Sequence, residues 1–286
     1  MSQVRHPFFT PPLSPSQMAA LLLPSLSGPP PVLRLEAHAR LRRYASDSAE
    51  YQRAFGRFLA KTDQKSALLK TLASKVASLP RRQIFIDVGA GTGALTSRLA
   101  PAFGRTIAIE PNPHFQRELA TLPQKLEVVP LSLLDCEPLP RADFILCSHV
   151  LHYIDPSEWA RVVARLTESL APNGLLAIVL QNRHSASMRL LDHYAGERPF
   201  LDDLMGSLQS ILPRGMHGRL ETIPSSIACG SLEATLEIVE FLLNVVHLKE
   251  LPLKTSVVDY LAQNLVPCAE RGFSLSCDQD VLLIGR

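Results

Sequence analysis

Ile84-Phe85-Ile86-Asp87-Val88-Gly89-Ala90-Gly91-Thr92-Gly93-Ala94-Leu95 reads as a short apolar strand, an acidic residue, a glycine turn and the start of a helix. Glycines at 89, 91 and 93 let the backbone turn sharply and bring a ligand close to main-chain N–H groups. The spacing is G-x-G-x-G, not the G-x-G-x-x-G dinucleotide fingerprint. Asp87 lies just before the first glycine, and the next apolar strand, Thr106-Ile107-Ala108-Ile109, ends at Glu110. A carboxylate there can accept both ribose hydroxyls of an adenosine ligand.

Outward from this turn, strands and helices alternate. Strand 84–88 leads to a helix near 93–102, and strand 106–110 to a helix near 113–121. Strands 126–131 and 143–147 follow. A helix near 156–170 then carries Trp159, Val162, Val163 and Leu166 on one face, and after a turn at Pro172-Asn173-Gly174 strand 175–181 is the fifth. Apolar strands separated by helices imply a parallel sheet covered on both faces. Right-handed crossovers put ligand sites at the carboxyl ends of such strands. The expected architecture is α/β, a Rossmann-like doubly wound sheet of seven strands, with a helical cover at residues 35–80 and an insertion after the fifth strand.

The cover begins at Asp47-Ser48-Ala49-Glu50, which has capping-box spacing. Tyr51, Ala54, Phe55, Phe58 and Leu59 then share one helix face, and aromatics at that spacing read as core rather than as a ligand cage. Thr62 or Asp63 can cap a second helix, with Leu68, Leu69, Leu72, Val76 and Leu79 inward and Pro80 as its stop. Residues 183–270 form the elaboration: helices near 186–194 and 200–212, a strand-like stretch over 219–229, and helices near 231–248 and 254–265. A last strand over 281–285 closes the sheet.

Residues 1–33 hold eight prolines and no acidic residue, which predicts a flexible leader ahead of one domain spanning 34–286. The chain is 46% hydrophobic, enough for a sizeable core, and its net charge of +2 gives no electrostatic case for nucleic acid. No apolar run approaches a membrane span. Five scattered cysteines without a C-x-x-C pair argue against a metal or disulfide framework and for a reducing, cytoplasmic setting.

The turn at 84–95 with Asp87 and Glu110 resembles motif I and the following acidic strand end of the class I S-adenosylmethionine (SAM) methyltransferases. The resemblance implies SAM as cofactor, held by Asp87, Gly89, Gly91, Gly93 and Glu110. It also implies an adenine edge read after the third strand, for which Ser132, Leu133 and Asp135 are candidates. The segment Cys147-Ser148-His149-Val150-Leu151-His152-Tyr153-Ile154 resembles the family's segment after the fourth strand. There Ser148 falls on the methionine side and His149, His152 and Tyr153 on the acceptor side. His149 is the expected catalytic base, since imidazole titrates near neutral pH. Asn182 leaves the fifth strand and is expected in the acceptor pocket. No metal is implied.

Residues 48–286 also resemble, in patches, the histamine N-methyltransferase group. The resemblance rests on Tyr51–Leu59, His193–Leu204, Glu237–Leu242 and Val281–Ile284. Where that group grips its acceptor this chain departs. Gln64 falls where the group has Glu, His149 where it has Gln, and the sole tryptophan is Trp159, on an earlier helix. Gln64 and His149 suit a neutral or anionic acceptor better than a cationic amine.

The sequence therefore predicts methyl transfer to nitrogen or oxygen of a small molecule in a small, enclosed pocket lined by His149, Tyr153 and Gln64. Two other readings stand beside it. An RNA methyltransferase would carry an Asn-Leu-Pro-Tyr type segment where this chain has Ser148–Tyr153. A non-catalytic SAM-fold partner protein would have no need of Glu110 and the intact glycine turn. The sequence is silent on oligomeric state.

Overall fold

A computed structural model describes residues 39–45, 48–136, 138–246, 248–264, 266–267 and 273–286. The proline-rich leader lies outside the described residues, as do Asp47 of the capping-box segment and Cys268. Helices α1 (Ala49–Lys61) and α2 (Gln64–Ala77) precede β1 (Ile84–Val88). The central run is α3 (Thr96–Leu99), β2 (Arg105–Ile109), α4 (Pro113–Ala120), β3 (Leu126–Val129), β4 (Ala142–Ser148), α5 (Trp159–Glu168) and β5 (Leu170–Gln181). The remainder is α6 (Ala186–Ala195), α7 (Leu201–Met205), α8 (Leu208–Ile211), β6 (His217–Ile223), β7 (Ser226–Cys229), α9 (Leu232–Val245), α10 (Lys254–Asn264), β8 (Val266–Pro267), β9 (Phe273–Ser276) and β10 (Gln279–Gly285).

The main sheet has seven strands in the order β3-β2-β1-β4-β5-β10-β6. Strands β1 to β5 pair in parallel, while β10 runs antiparallel to both β5 and β6. The order reverses between β1 and β4, so a cleft opens at the carboxyl ends of these two strands. Residues alternate between the two faces with the strand period of two. Ile86, Ile145, Ile178 and Leu282 meet Trp159, Val162 and Leu166 of α5 on one face. Phe85, Phe144, Val179 and Val281 meet Leu68, Leu72 and Val76 of α2 on the other. Each such side chain contributes about 1.5–3 kcal/mol by leaving water.

A second core lies beyond the sheet edge. Met188, Leu190 and Leu191 of α6 pack with Ile238, Val239 and Phe241 of α9, with Val257 and Leu261 of α10, and with Ile227 and Leu275. The Phe241 ring centroid lies 5.5, 5.8 and 5.4 Å from those of Tyr51, Phe55 and Phe58, so the aromatic stripe of α1 is core. Ser48 caps α1, its hydroxyl accepting the Tyr51 N–H at 3.1 Å. Residues 39–45 strap this cap shut. The buried Glu240 carboxylate accepts the Arg42 N–H at 2.8 Å, and Arg40 bridges to Leu253.

The structure corrects three expectations about elements. The strand-like stretch at 219–229 is two strands in different sheets: β6 joins the main sheet, and β7 joins a three-stranded sheet of order β7-β9-β8. Pro224 separates them, and it has no N–H to continue a ladder. The helix near 200–212 is two short helices broken at Gly206. The helix near 93–102 is reduced to α3 followed by a 3-10 turn at Ala100–Ala102, because Pro101 ends the α ladder.

Candidate active site

Gly89, Gly91 and Gly93 have φ of 68°, 56° and 74°, a region L side chains rarely adopt. Their surroundings differ. A Cβ on Gly89 would stand 2.4 Å from Val150 Cγ2, so the turn seats directly on the segment that follows β4. A Cβ on Gly93 would strike Leu119 and Leu122. At Gly91 nothing lies within 4 Å, leaving open space over the turn.

Several of the turn's N–H groups are engaged within the protein. Those of Gly89 and Ala90 donate to Ile109 O at 2.8 and 3.2 Å, and that of Gly93 to Ala90 O at 2.9 Å. The Gly91 N–H donates to Glu110 Oε2 at 2.8 Å. The Gly89, Ala90 and Gly91 donors hold the turn against the end of β2, and the Gly93 donor closes the turn on itself. Glu110 is buried, and its Oε1 accepts the Asn112 N–H at 2.8 Å. Both oxygens are thus fixed in place, with lone pairs to spare for two hydroxyls. Asp87 is fully buried at the end of β1 and accepts the Thr96 hydroxyl at 2.6 Å. Burial pushes its carboxyl up to about 7; the Thr96 hydrogen bond opposes the rise and the Glu110 charge adds to it. A cationic group brought near this carboxyl would favour its ionised form.

After β3, the Ser132 hydroxyl turns to Asp135 at 2.5 Å. The Leu133 side chain is buried in the sheet core and its carbonyl accepts Arg165 at 2.8 Å.

Beyond β4, Ser148 ends the strand half-buried, and His149 adopts φ 58° while its N–H still donates to Val179 O at 2.8 Å. Strained non-glycine positions of this kind cluster at functional sites. The His149 and His152 rings stack with centroids 6.1 Å apart and planes 10° apart. Two glutamines face the pair, and Gln181 acts on both rings. His149 Nε2 lies 3.2 Å from Gln279 Oε1, and His152 Nε2 meets Gln181 Oε1. Gln181 and Gln279 face each other across β5 and β10. Burial lowers the His149 pKa to about 4, with further lowering by His152 and Lys65 against smaller opposing hydrogen bonds from Gln279 and Gln181. His152 is also lowered by burial, and by the Arg198 charge.

Three predicted acceptor residues stand differently from expectation. Gln64 is buried and spends its Nε2–H on Cys277 O at 2.7 Å, because it starts α2 under the β9–β10 turn. Asn182 donates to both oxygens of Asp280 and accepts the His184 N–H, which caps the turn after β5. Tyr153 is 88% exposed, so it does not close a small pocket with His149 and Gln64. Burial raises the pKa of the Tyr51 hydroxyl of α1, with a smaller contribution from the neighbouring Tyr153. Sequence reasoning missed Gln181, Gln279, Lys65 and Arg198. The available signal was a polar residue at the end of an apolar strand, Gln181 closing β5 and Gln279 opening β10. Among the described residues no group of His, Cys, Asp and Glu could hold a metal ion, and no helix is long and apolar enough to cross a membrane.

The comparisons agree with this geometry. A family model described as a methyltransferase domain matches residues 49–219, more than half of the chain. The tetracenomycin polyketide synthesis 8-O-methyl transferase TcmO of Streptomyces glaucescens is 30% identical over 118 residues, 37% of this chain and 34% of that protein. An uncharacterized methyltransferase of Mycobacterium tuberculosis is 33% identical over 103 residues, 34% of this chain and 40% of its own length. The match thus spans well under half of these curated relatives. Among solved structures, YcgJ of Bacillus subtilis superimposes with a TM-score of 0.52 at 12% identity, covering 76% of this chain and 97% of that one, which shows the shared fold. The chain belongs to the methyltransferase-domain family, whose class uses SAM as its methyl donor.

Proposed function

We propose that this chain is a SAM-dependent methyltransferase that methylates oxygen or nitrogen of a small molecule. The observation that carries the reading is the turn at Gly89–Gly93, open above Gly91, with the Glu110 carboxylate fixed on the Gly91 N–H and Val150, of the segment that carries His149 and His152, against Gly89. In this reading Glu110 accepts the ribose hydroxyls, Asp87 faces the ammonium group, and Gly89, Gly91 and Gly93 let the backbone come close. Ser132 and Leu133 lie at the adenine edge and Ser148 beside the methionine chain. When bound, the cofactor supplies a sulfonium methyl already activated for in-line displacement. The protein's share is then position, approach distance and exclusion of water.

His149, His152 and Tyr153 stand on the acceptor side. With its pKa near 4, His149 is neutral at pH 7 and acts as a hydrogen-bond partner and acceptor of a late proton, not as a cation. A small-molecule acceptor is supported by the relative TcmO, an O-methyltransferase of polyketide synthesis, and by the modest net charge.

The test is SAM titration into the full chain by calorimetry, followed by release of S-adenosylhomocysteine in the presence of phenols, amines and total RNA. Saturable SAM binding and turnover with a small molecule are expected. No SAM binding by folded protein removes the reading, and turnover confined to RNA replaces the acceptor class.

A further inference from the structure

Gln279 is buried at the start of β10, and no glycine turn or strand-end motif points to it. Its amide is oriented without ambiguity. Nε2 donates to the Gln64 carbonyl at 3.0 Å, so Oε1 is the atom that faces His149 Nε2 at 3.2 Å. An amide oxygen only accepts, so His149 must carry its proton on Nε2. The other ring nitrogen, Nδ1, is then a bare lone pair, and it is buried with no hydrogen-bond partner among the described residues. A buried acceptor left without a donor costs free energy until something supplies an O–H or N–H. His149 adjoins Val150, the residue on which Gly89 of the glycine turn rests, so the imidazole belongs to the segment that seats the turn.

Resting on the methyltransferase reading above, we propose that Gln279 is a positioning residue: it locks His149 as the Nε2–H tautomer and so presents the Nδ1 lone pair to the hydroxyl of the acceptor. The groups facing this imidazole are His152 from the same segment, Gln181 from β5, Gln279 from β10 and Lys65 from α2. Lys65 stands on one side of the pair, and Arg198, on the other, is ion-paired to Asp192 at 3.0 Å; no carboxylate is among the groups that shift either histidine, so none is placed to hold an ammonium acceptor there. In the transfer, an oxygen lone pair forms the bond to the methyl carbon and the carbon–sulfur electron pair returns to sulfur. The hydroxyl proton leaves through its hydrogen bond to Nδ1. A weak base suffices there, because oxygen becomes strongly acidic as it acquires the methyl group.

The test is nitrogen NMR of the full chain labelled at histidine, with catechol and phenethylamine as probe acceptors. Wild-type His149 is expected as the Nε2–H tautomer at pH 7. Gln279→Leu should mix the tautomers and lower kcat on catechol at least tenfold while SAM affinity stays within twofold. Gln279→Glu places a carboxylate beside the ring, favours the imidazolium, and should move the acid limb of the rate profile up by at least one pH unit. An Nδ1–H or cationic His149 in the wild type overturns the proposal, and this reading needs no variant to fold. A Gln279→Leu enzyme with unchanged tautomer or unchanged kcat also overturns it, as does methylation of phenethylamine in place of catechol. Loss of SAM binding in the wild type would instead remove the methyltransferase reading and leave the tautomer result standing.

Discussion

The two halves of the cleft are finished to different degrees. At the ends of β1 and β2 the polar atoms are matched: Glu110 accepts two backbone N–H groups and Asp87 a buried hydroxyl. Beyond β4 and β5 the chain keeps a left-handed His149, a buried Nδ1 without a donor, and a tyrosine standing in water. A site for an invariant cofactor gains from being assembled in advance, because each rotor fixed beforehand is not frozen on binding. A site for an acceptor can leave its final hydrogen bonds to the acceptor, and the cost of the bare nitrogen is recovered only when the right group arrives.

Gly89 joins the halves and is where the contrast breaks first. Alanine there must hold φ near 68° with its Cβ 2.4 Å from Val150 Cγ2. Backbone strain and overpacking together should cost about 3 kcal/mol. Gly91→Ala meets no neighbour, so only strain remains, about 1 kcal/mol. Chemical denaturation measures both. Adding Val150→Ala to Gly89→Ala should restore part of the loss, and equal costs at the two glycines would refute the seating of the turn on Val150.

Glu110→Ala tests the assembled half. Loss of a charged acceptor costs on the order of 1.5–3 kcal/mol, so SAM affinity should fall at least tenfold by calorimetry. Affinity for phenolic acceptors at saturating SAM should change little. A folded Glu110→Ala protein that binds SAM as before would remove Glu110 from the cofactor site.

Asp87 gives a pH signature in the ligand-free protein. Its folded pKa is raised to about 7 from 3.8, chiefly by burial, with Thr96, Glu110 and the Cys147 thiol facing it. Between those values the folded state binds more protons than the unfolded one, so this group's contribution to stability is present at low pH and is lost as pH rises through 7. Asp87→Asn cannot ionise. It should melt a few degrees above wild type at pH 8, a difference of at least about 1 kcal/mol that shrinks toward pH 4. Parallel melting curves across that range would show that Asp87 does not carry the raised pKa. SAM should bind the variant more weakly, since its ammonium loses a carboxylate.

Legibility in the sequence follows the same division. The sheet was readable because strands of Val, Ile and Phe alternate with helices, and because glycines with acidic strand ends mark β1 and β2. The aromatic stripe of α1 was readable as core from its spacing alone. Gln279 and Gln181 were not readable, because their meaning depends on β10 inserting antiparallel beside β5, a pairing between residues far apart in the chain. Gln64 pointed to the acceptor by position, yet its side chain is consumed by Cys277, a contact that only the cap's folding over α2 creates. The two-residue β8 and the short β7 and β9 have too few residues to show any period.

The smallest effect on stability, and the sharpest for the open half, is expected at Tyr153. Its ring is 88% exposed, and a surface truncation away from special features stays within about 0.5 kcal/mol. Tyr153→Ala should therefore melt like wild type and bind SAM like wild type. Its role, if the acceptor enters between Tyr51 of α1 and the segment after β4, is to cover that acceptor once bound. Truncation should then raise KM for the acceptor several-fold with kcat nearly unchanged, the pattern of binding shared by ground and transition states. Tyr153→Phe should restore KM, because coverage depends on the ring and not the hydroxyl. A fall in kcat at constant KM would place Tyr153 in the chemistry instead, and no change in either would show that Tyr153 does not cover the acceptor.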